Sequence, residues 1–205
     1  MAQFMMKTEK LIVINKKNIN SAIIFCLLLS TSVNAKISYS DNDLDQYNQY
    51  HSCQKCDLSG AYLEGQEKSI LDGSNLISAI LNGEFIGSSF VGSILTQVNA
   101  SSLKAMVSNF SETRCNYAKF YQASFSGANF QNADLSKVNF KAANLSSADF
   151  TNASLKGANL DFSILIGAKL TQEQLKSAKS YYCAILPDGT LAPPEYQSHN
   201  CIHRW

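Results

Sequence analysis

The sequence has few charged residues, few histidines and no apolar run long enough to cross a membrane comfortably. Of its 205 residues, 16% are charged and three are histidine. The apolar run Ala22–Ser30 is well short of the about 20 residues that a spanning helix needs, which argues against a membrane anchor. Hydrophobic residues make up 45%, a proportion typical of globular proteins, so the chain is not expected to be disordered throughout.

The first 35 residues have the three-part layout of a secretory signal peptide. The basic residues before the apolar run are Lys7, Lys10, Lys16 and Lys17, and the small residues Val33 and Ala35 follow the run. We therefore predict that residues 1–35 are removed on export, with an uncleaved anchor as the alternative. Cys26 lies inside the apolar run and not just after the cleavage position, which argues against a lipoprotein.

Cleavage would leave a chain that is close to neutral. Four of the 17 basic residues and one of the 16 acidic residues lie in the first 35, which leaves 13 against 15. This balance argues against a basic stripe for nucleic acid and against a strongly acidic surface. The localisation expected from the signal peptide is the periplasm of a bacterium or the outside of the cell, with no stable membrane span after cleavage.

From Phe110 onward a large apolar residue returns at every fifth position, a period that fits neither a helix nor a strand. The positions hold Phe110, Cys115, Phe120, Phe125, Phe130, Leu135, Phe140, Leu145, Phe150, Leu155, Leu160, Leu165 and Leu170. The residue two places before each of them is small or β-branched, most often Ala. Units that each bury two of five residues must stack on neighbours, which is the physical logic of a solenoid.

Four such units would make a square turn of 20 residues, so that residues 20 apart lie above one another. One column then holds Phe90, Phe110, Phe130, Phe150 and Leu170, and the next holds Leu95, Cys115, Leu135, Leu155 and Leu175. Like shapes would stack at the strand spacing of about 4.8 Å. The pattern predicts an all-β solenoid, with Asn109 over Asn129 and Asn139 over Asn159 as side-chain ladders.

Four of the units carry a motif that identifies a family resemblance. The triplets "ANF", "ADL", "ANL" and "ADF" end at Phe130, Leu135, Leu145 and Phe150. They resemble the pentapeptide-repeat family, and the resemblance implies a right-handed quadrilateral β-helix over residues 53–175. It says little about function, because these repeats occur in many unrelated proteins.

The segments on either side of the repeats are predicted to be different in kind. Residues 36–52 are expected to form a flexible N-terminal segment, and residues 176–205 a C-terminal cap and tail. Thr171 and Gln174 make a capping box for a short helix that would cover the open end of the coil. Within the repeats, the interruption at Glu64–Ile70 is interpreted as a protruding loop, either for partner recognition or as a tolerated insertion.

Four cysteines outside the regular repeats are candidate disulfide partners: Cys53, Cys56, Cys183 and Cys201. The first two take inward positions of the first coil, and a similar start in family members favours a structural role there. Redox activity and metal binding stay open for this pair. A zinc site built from all four is not expected, since stacked coils would separate the two ends by roughly 30 Å. Cys115 is expected to be a buried thiol.

No catalytic constellation, cofactor site or metal site is predicted. His51, His199 and His203 all lie outside the repeats, so the repeats offer no general base of the usual kind. The unusual surface feature is apolar: Phe162, Ile164 and Ile166 fall at outward positions, with Tyr117 and Tyr121 as a second outward cluster. Either the C-terminal tail covers this candidate interaction patch, or it binds a partner or a second copy.

These observations favour an exported, non-enzymatic protein that is structural or binds an unidentified protein partner or itself, and not nucleic acid. The family resemblance raises one alternative, a topoisomerase-binding DNA mimic. Such a mimic needs acidic faces, whereas lysines punctuate the faces of this chain. A second alternative is a thiol-disulfide redox protein that uses Cys53 and Cys56, which would require an exposed thiolate.

Overall fold

The computed structural model describes residues 39–192 and Cys201. Four elements lie along this part of the chain: α1 (Asp41–Tyr50), β1 (Tyr62–Gly65), β2 (Ile80–Gly83) and α2 (Gln172–Ser177). Between them the backbone forms a coil held by parallel bridges of single residues. The predicted signal peptide, His199 and His203 lie outside the described residues, and so does most of the predicted tail.

The segment before the coil contains helix α1, where the sequence predicts a flexible segment over residues 36–52. The helix begins after Ser40, whose side chain accepts a hydrogen bond from the Asp43 N–H, and it ends at the left-handed residue His51. Most residues of α1 are polar, and the buried residue of the helix is Tyr47, whose side chain is 1% exposed. The Tyr47 hydroxyl donates to the Glu64 carbonyl oxygen at 3.0 Å, which fixes α1 to the coil.

The coil has four sides, and each side stacks on the same side of the next turn. From Ser89 onward the regular bridges join residues 20 apart, such as Asn109 to Asn129. The first side runs through Ser52, Ile70, Ser89, Asn109, Asn129, Asp149 and Lys169, and the second through Asp57, Asn75, Ile94, Arg114, Asp134 and Ser154. The third runs through Tyr62, Ile80, Asn99, Lys119, Asn139, Asn159 and Ser180, and the fourth through Glu84, Lys104, Ser124, Asn144, Ile164 and Ile185.

Each corner is built by the polar half of the five-residue unit. At the Asn109, Asn129, Asn139 and Asn159 positions the side-chain oxygen accepts the backbone N–H two residues later, at 2.9 to 3.1 Å. The described hydrogen bonds of these side chains therefore run along the chain, and the predicted Asn ladders between coils are not what holds the turns together. The turns are joined by backbone bonds, such as that from the Phe110 N–H to the Asn129 carbonyl at 2.7 Å.

The core is a set of stacked columns, as the 20-residue period predicts. Phe110 stacks on Phe90 with ring centroids 4.6 Å apart, and Phe130 stacks on Phe150 at 5.4 Å. Phe125, on another side, meets Phe130 edge to face at 5.3 Å. Aromatic pairs favour both of these arrangements. The column of parallel Phe rings is therefore packed against Phe rings of a second column, which lie nearly perpendicular to it.

In the first coils hydroxyl groups replace alanine at the small inward positions. The described side chains of this kind are Ser69, Ser74, Ser88, Ser93, Ser108 and Thr113, all buried. The oxygens of Ser74, Ser88, Ser93 and Ser108 accept a backbone N–H of the neighbouring coil and donate to a carbonyl. Ser74 Oγ, for example, accepts from the Cys56 N–H at 3.2 Å and donates to the Cys53 carbonyl at 2.6 Å. Ser69 and Thr113 donate to the carbonyls of Gln66 and Phe110. The hydroxyl groups are thus hydrogen-bonded despite their burial.

The interpretation of Glu64–Ile70 as a protruding loop is wrong. Leu71 follows Leu63 by eight residues, two fewer than two regular units, and the bridges here join residues 18 apart, as in Tyr62 to Ile80. The segment therefore shortens the first turn. Gly65 makes this possible, because a Cβ atom there would lie 2.5 Å from the Phe85 ring of the next turn.

The coil also continues beyond residue 175, where the sequence predicts only a cap and tail. After α2, Ser180 pairs with Asn159 and Ile185 with Ile164, so the chain returns to the third and fourth sides. The shift of one residue in this spacing, from 20 to 21, accommodates the helix. The chain then reverses in a turn and Leu191 pairs antiparallel with Ile185, which covers the last edge of the fourth side.

Candidate binding surfaces

Cys53 and Cys56 form a disulfide in the first turn of the coil. Cys53 is fully buried and Cys56 is 6% exposed, at the inward positions that the repeat assigns to them. Asp43 of α1 lies against this pair, and its carboxylate accepts the Asp57 N–H at 2.8 Å. The two sulfur atoms and the Asp43 carboxylate lie within 4.8 Å of one another, but sulfur atoms joined in a disulfide are not the thiolates that a metal requires.

Cys183 and Cys201 form a second disulfide at the other end of the coil, with Cα atoms 5.4 Å apart. It ties the chain beyond the last turn back to the third side. Cys115 is a free, fully buried thiol, and its burial raises its pKa to about 12. A thiol with this pKa is protonated at neutral pH and is not a nucleophile.

The three apolar residues of the predicted patch lie at different places around the fourth side. Phe162 is partly covered by the Tyr182 ring, with centroids 5.7 Å apart, and Ile164 pairs with Ile185 of the last turn. Ile166 is 47% exposed on the following corner. The chain after α2 thus covers part of this surface, in line with the first of the two alternatives that the sequence left open.

Tyr117 and Tyr121 border the third side on its two opposite corners, so they are not part of one surface with Ile166. Tyr117 is 51% exposed and Tyr121 37%. The Tyr117 hydroxyl accepts a hydrogen bond from Lys137 Nζ at 2.9 Å, and the same ammonium group lies 5.0 Å from the ring centroid. The pairing of a lysine with an aromatic ring recurs at Lys141, whose Nζ lies 5.6 Å from the centroid of the Phe162 ring.

A basic face lies along the third side of the later turns. It consists of Lys119, Lys137, Lys141, Lys156, Lys176 and Lys179, which stand on this side or on its two corners. They are six of the eleven lysine and arginine residues that the structure describes. The basic face is not apparent in the sequence, because its members alternate between side and corner positions of successive turns and become neighbours only when the chain coils.

A shallow groove of about 440 Å³ lies in the basic face. It is lined by Lys137, Val138, Asn139, Gly157, Asn159 and Lys179. The side-chain oxygens of Asn139 and Asn159 are occupied by backbone N–H groups at 3.1 and 2.9 Å. Among the described residues their Nδ2 groups have no partner, so the groove presents hydrogen-bond donors from both amides and both lysines.

The carboxylates on the coil surface are held by the coil itself. Asp149 accepts hydrogen bonds from the Thr151 hydroxyl at 2.6 Å, Gln131 at 3.0 Å and Lys169 at 3.1 Å, and the Thr151 contact is the leading cause of a pKa far below the usual range. Burial raises the pKa of Asp134, but hydrogen bonds from Ser136 and Asn116 outweigh it and lower the pKa. Such carboxylates stay ionised at neutral pH, and they accept hydrogen bonds that hold the corners of the coil.

Within residues 39–192 no helix is both long and apolar enough to span a bilayer. The family model described as pentapeptide repeats matches the chain in eight copies, over residues 108–146 and 133–172. No curated protein matches the chain significantly.

Solved structures of pentapeptide repeat proteins resemble the chain at low scores. HetL, involved in heterocyst differentiation regulation in the cyanobacterium Nostoc sp. strain PCC 7120, is 26% identical with a TM-score of 0.34, over 69% of this chain and 66% of HetL, slightly less than two thirds of its length. A protein from the Arabidopsis thaliana thylakoid lumen is 20% identical with a TM-score of 0.40, over 63% and 75%. QnrB1, a plasmid-mediated fluoroquinolone resistance protein, is 21% identical with a TM-score of 0.42, over 66% and 60%.

Proposed function

The chain belongs to the pentapeptide-repeat family, and from this premise we propose that it is an exported, non-enzymatic structural or binding module. We propose that its four-sided coil has the right-handed form that the family resemblance implies. Pentapeptide-repeat proteins are generally structural or binding proteins without catalytic activity, which supports this kind of function. The partner contacts the side chains on the outer sides of the rigid coil.

The observation that carries the export proposal is the joining of the cysteines at both ends of the coil. Cys53 with Cys56 and Cys183 with Cys201 are the outer pairs, while Cys115 in the core stays free. Disulfides persist in oxidising compartments and are rare in the cytosol. This distribution fits a chain whose first 35 residues have the layout of a signal peptide.

The two alternatives have less support from the same residues. A topoisomerase-binding DNA mimic requires acidic faces, whereas the third side carries the basic face. A thiol-disulfide redox protein requires an exposed thiolate, whereas Cys53 and Cys56 are buried beneath α1. A supercoiling assay with gyrase and a disulfide-exchange assay are expected to show no effect of the protein.

Export is tested by the intact mass of the protein from a fractionated native host, kept unreduced and alkylated after denaturation. We expect a chain in the periplasmic or extracellular fraction that begins at Lys36 and takes up one alkyl group, at Cys115. A full-length, reduced chain in the cytoplasmic fraction would contradict the proposal and make the outer cysteine pairs candidates for redox or metal chemistry again.

A further inference from the structure

The basic face is a continuous strip along the axis of the coil. The Lys137 N–H donates to the Lys156 carbonyl at 2.9 Å, and the Gly157 N–H donates to Ser177 at 2.8 Å, so one corner carries lysines on successive turns. On the other corner Lys141 lies one turn above Tyr121. Because turns repeat at about 4.8 Å, the strip presents ammonium groups over roughly 15 Å.

The strip offers more hydrogen-bond donors than acceptors. From Asn99 onward Asp161 is the acidic residue that the structure describes on the third side and its corners, and its carboxylate is occupied by the Ser180 hydroxyl and the Tyr182 N–H. Glu173 of α2 interacts electrostatically with Lys176 and offsets charge at that end of the strip. The groove at the centre adds the Nδ2 donors of Asn139 and Asn159. A ligand that satisfies these groups must carry acceptors and negative charge, which are supplied by carboxylate, sulfate or phosphate groups.

We propose that the basic face binds a linear anionic polysaccharide, with one charged group of the polymer in the groove lined by Lys137 and Lys179. The strip carries at least one lysine on each of four successive turns, and turns repeat at about 4.8 Å, which suits a linear polymer that carries charge along its length. Tyr117 and Tyr121 expose rings at the two margins, where they can contact the apolar faces of sugar rings. The proposal rests on the proposed export, because it places the ligand outside the cytoplasm.

Other polyanions fit the face less well. Docking of an acidic protein normally buries an apolar centre, but the centre of this strip is lysine and asparagine, and Val138 beneath it is buried. Proteins that bind nucleic acid are usually basic overall, whereas this chain is close to neutral. A polymer of sugars with charged groups needs neither an apolar centre nor a large net charge.

The test compares the native protein with two variants that lose the same charge at different places. Lys137→Gln with Lys179→Gln removes both lysines of the groove. Lys55→Gln with Lys68→Gln is the matched control, because both lysines are exposed and lie on the first turns. Lys55, Lys68 and Lys137 also share a left-handed backbone, with φ between 57° and 59°, so that their replacement by Gln meets similar backbone conformations. Binding is measured by calorimetry with polygalacturonate, and with neutral dextran, polyglutamate and oligothymidylate of similar length.

We expect saturable binding of polygalacturonate that weakens with added salt, and no binding of dextran. The groove variant should bind about tenfold more weakly and the control within about twofold, because two exposed charge pairs are worth about 0.7 kcal/mol each. No saturable binding, or an equal loss in both variants, would overturn the proposal. Tighter binding of polyglutamate or oligothymidylate than of polygalacturonate would overturn the choice of polysaccharide.

The result is independent of the export experiment. A secreted, disulfide-bonded protein that ignores polygalacturonate would refute this inference and leave the proposed function standing. A cytoplasmic protein that binds polygalacturonate through Lys137 and Lys179 would refute export and leave the anion-binding groove in place. The two failures are therefore distinguishable.

Discussion

At the scale of single residues, the corners of the coil are its unusual feature. Seventeen described residues other than glycine have positive φ, in a region where an L-residue costs about 1 to 2 kcal/mol. Most of them follow the large inward residue by two positions, as Lys137 follows Leu135. Their N–H groups donate to the next turn, as Lys137 does to Lys156 at 2.9 Å, so the bonds between turns compensate for the backbone strain.

Val107 is the β-branched residue among these corner positions, with φ of 51° and 66% exposure. Asn adopts the left-handed region far more readily than Val, so Val107→Asn should raise the free energy of unfolding by about 1 kcal/mol. Denaturation by urea, followed by circular dichroism, measures the change. The control is Val91→Asn, one place earlier in its own corner and without positive φ, which should give no gain. Equal effects of the two substitutions would contradict the argument.

Asp149 makes the stability depend on pH below about 4, the usual pKa of an unfolded Asp. Its pKa in the folded protein is depressed by the Thr151 hydroxyl above all, then by Gln131 and Lys169. A depressed pKa contributes stability that is fully present above the unfolded pKa and is lost as the pH falls toward the folded pKa. Asp149→Asn should therefore reduce the loss of stability between about pH 4 and pH 2.

The measurement for Asp149 is the unfolding free energy of native and variant protein at several acidic pH values. The amide oxygen of Asn can still accept the Thr151 N–H, as Asn129 does for Gln131 one turn below at 2.9 Å, so the variant should fold. Asp45→Asn, at an exposed position of helix α1, is the control for the loss of one carboxylate. A native-like acid profile in Asp149→Asn would show that other carboxylates cause the slope.

At the scale of elements, α2 is held by one side chain with three contacts. Gln174 Oε1 accepts the Thr171 N–H at 2.7 Å as half of a capping box, and its Nε2 donates to the carbonyls of Phe150 at 2.6 Å and Ala153 at 2.9 Å. The helix thus satisfies carbonyl groups of the turn below it, which would otherwise lie at an open end of the coil.

Replacing Gln174 by Ala should lower the free energy of unfolding by roughly 2 to 3 kcal/mol, because three hydrogen bonds worth about 1 kcal/mol each are lost. Gln172→Ala is the matched control, since Gln172 lies in the same helix and is exposed. Thermal unfolding of the two variants compares them directly. If both lose the same small amount, α2 contributes nothing to the end of the coil beyond its own helix.

The sequence predicts α2 but not α1, for a physical reason. Thr171 and Gln174 are a local capping signal that can be read without the rest of the chain. In α1 the sequence is polar almost throughout, and its order depends on Tyr47, whose contact with Glu64 joins residues 17 apart. The sequence does not predict the shortened turn at Glu64–Ile70 for a similar reason. A break in a repeat is compatible both with a loop that protrudes from the coil and with a turn that contains fewer residues.

At the scale of the whole molecule, the 20-residue turn is the unit of stability. Deleting residues 129–148 joins Ala128 to Asp149, so that Phe150 takes the place of Phe130 above Phe110 and the inward columns stay in register. The deleted protein should still unfold cooperatively, with a smaller dependence on urea because less surface is buried. Circular dichroism during urea titration measures both quantities.

Deletion of residues 129–150 is the control for that experiment. It joins Ala128 to Thr151 and brings the amide of Asn152 to the position of Phe130, inside the aromatic column. This protein should lose cooperative unfolding or much of its stability, because a buried amide there lacks a hydrogen-bond partner. Equal behaviour of the two deletions would mean that the turn length does not control the stacking.

The five-residue period in the sequence predicts the core and the family. Which surface side chains become neighbours depends on how the chain coils. The columns of Phe and Leu follow from counting in fives, and the family match over residues 108–172 confirms the resemblance. The basic face could not be predicted in this way, because Lys137, Lys156 and Lys179 lie 19 to 23 residues apart and meet only after a full turn. The positions of the predicted apolar residues on different sides and corners likewise follow from the coiled chain and not from the period alone.

A turn made of four equivalent sides has a consequence for how this protein can diverge. Insertion or deletion of a single five-residue unit would leave every inward position filled by a similar residue, yet rotate everything downstream by a quarter of a turn. The basic face would then point in a new direction relative to α1 and the first turns. Changes in chain length can thus re-aim a recognition surface without redesigning the interior that supports it.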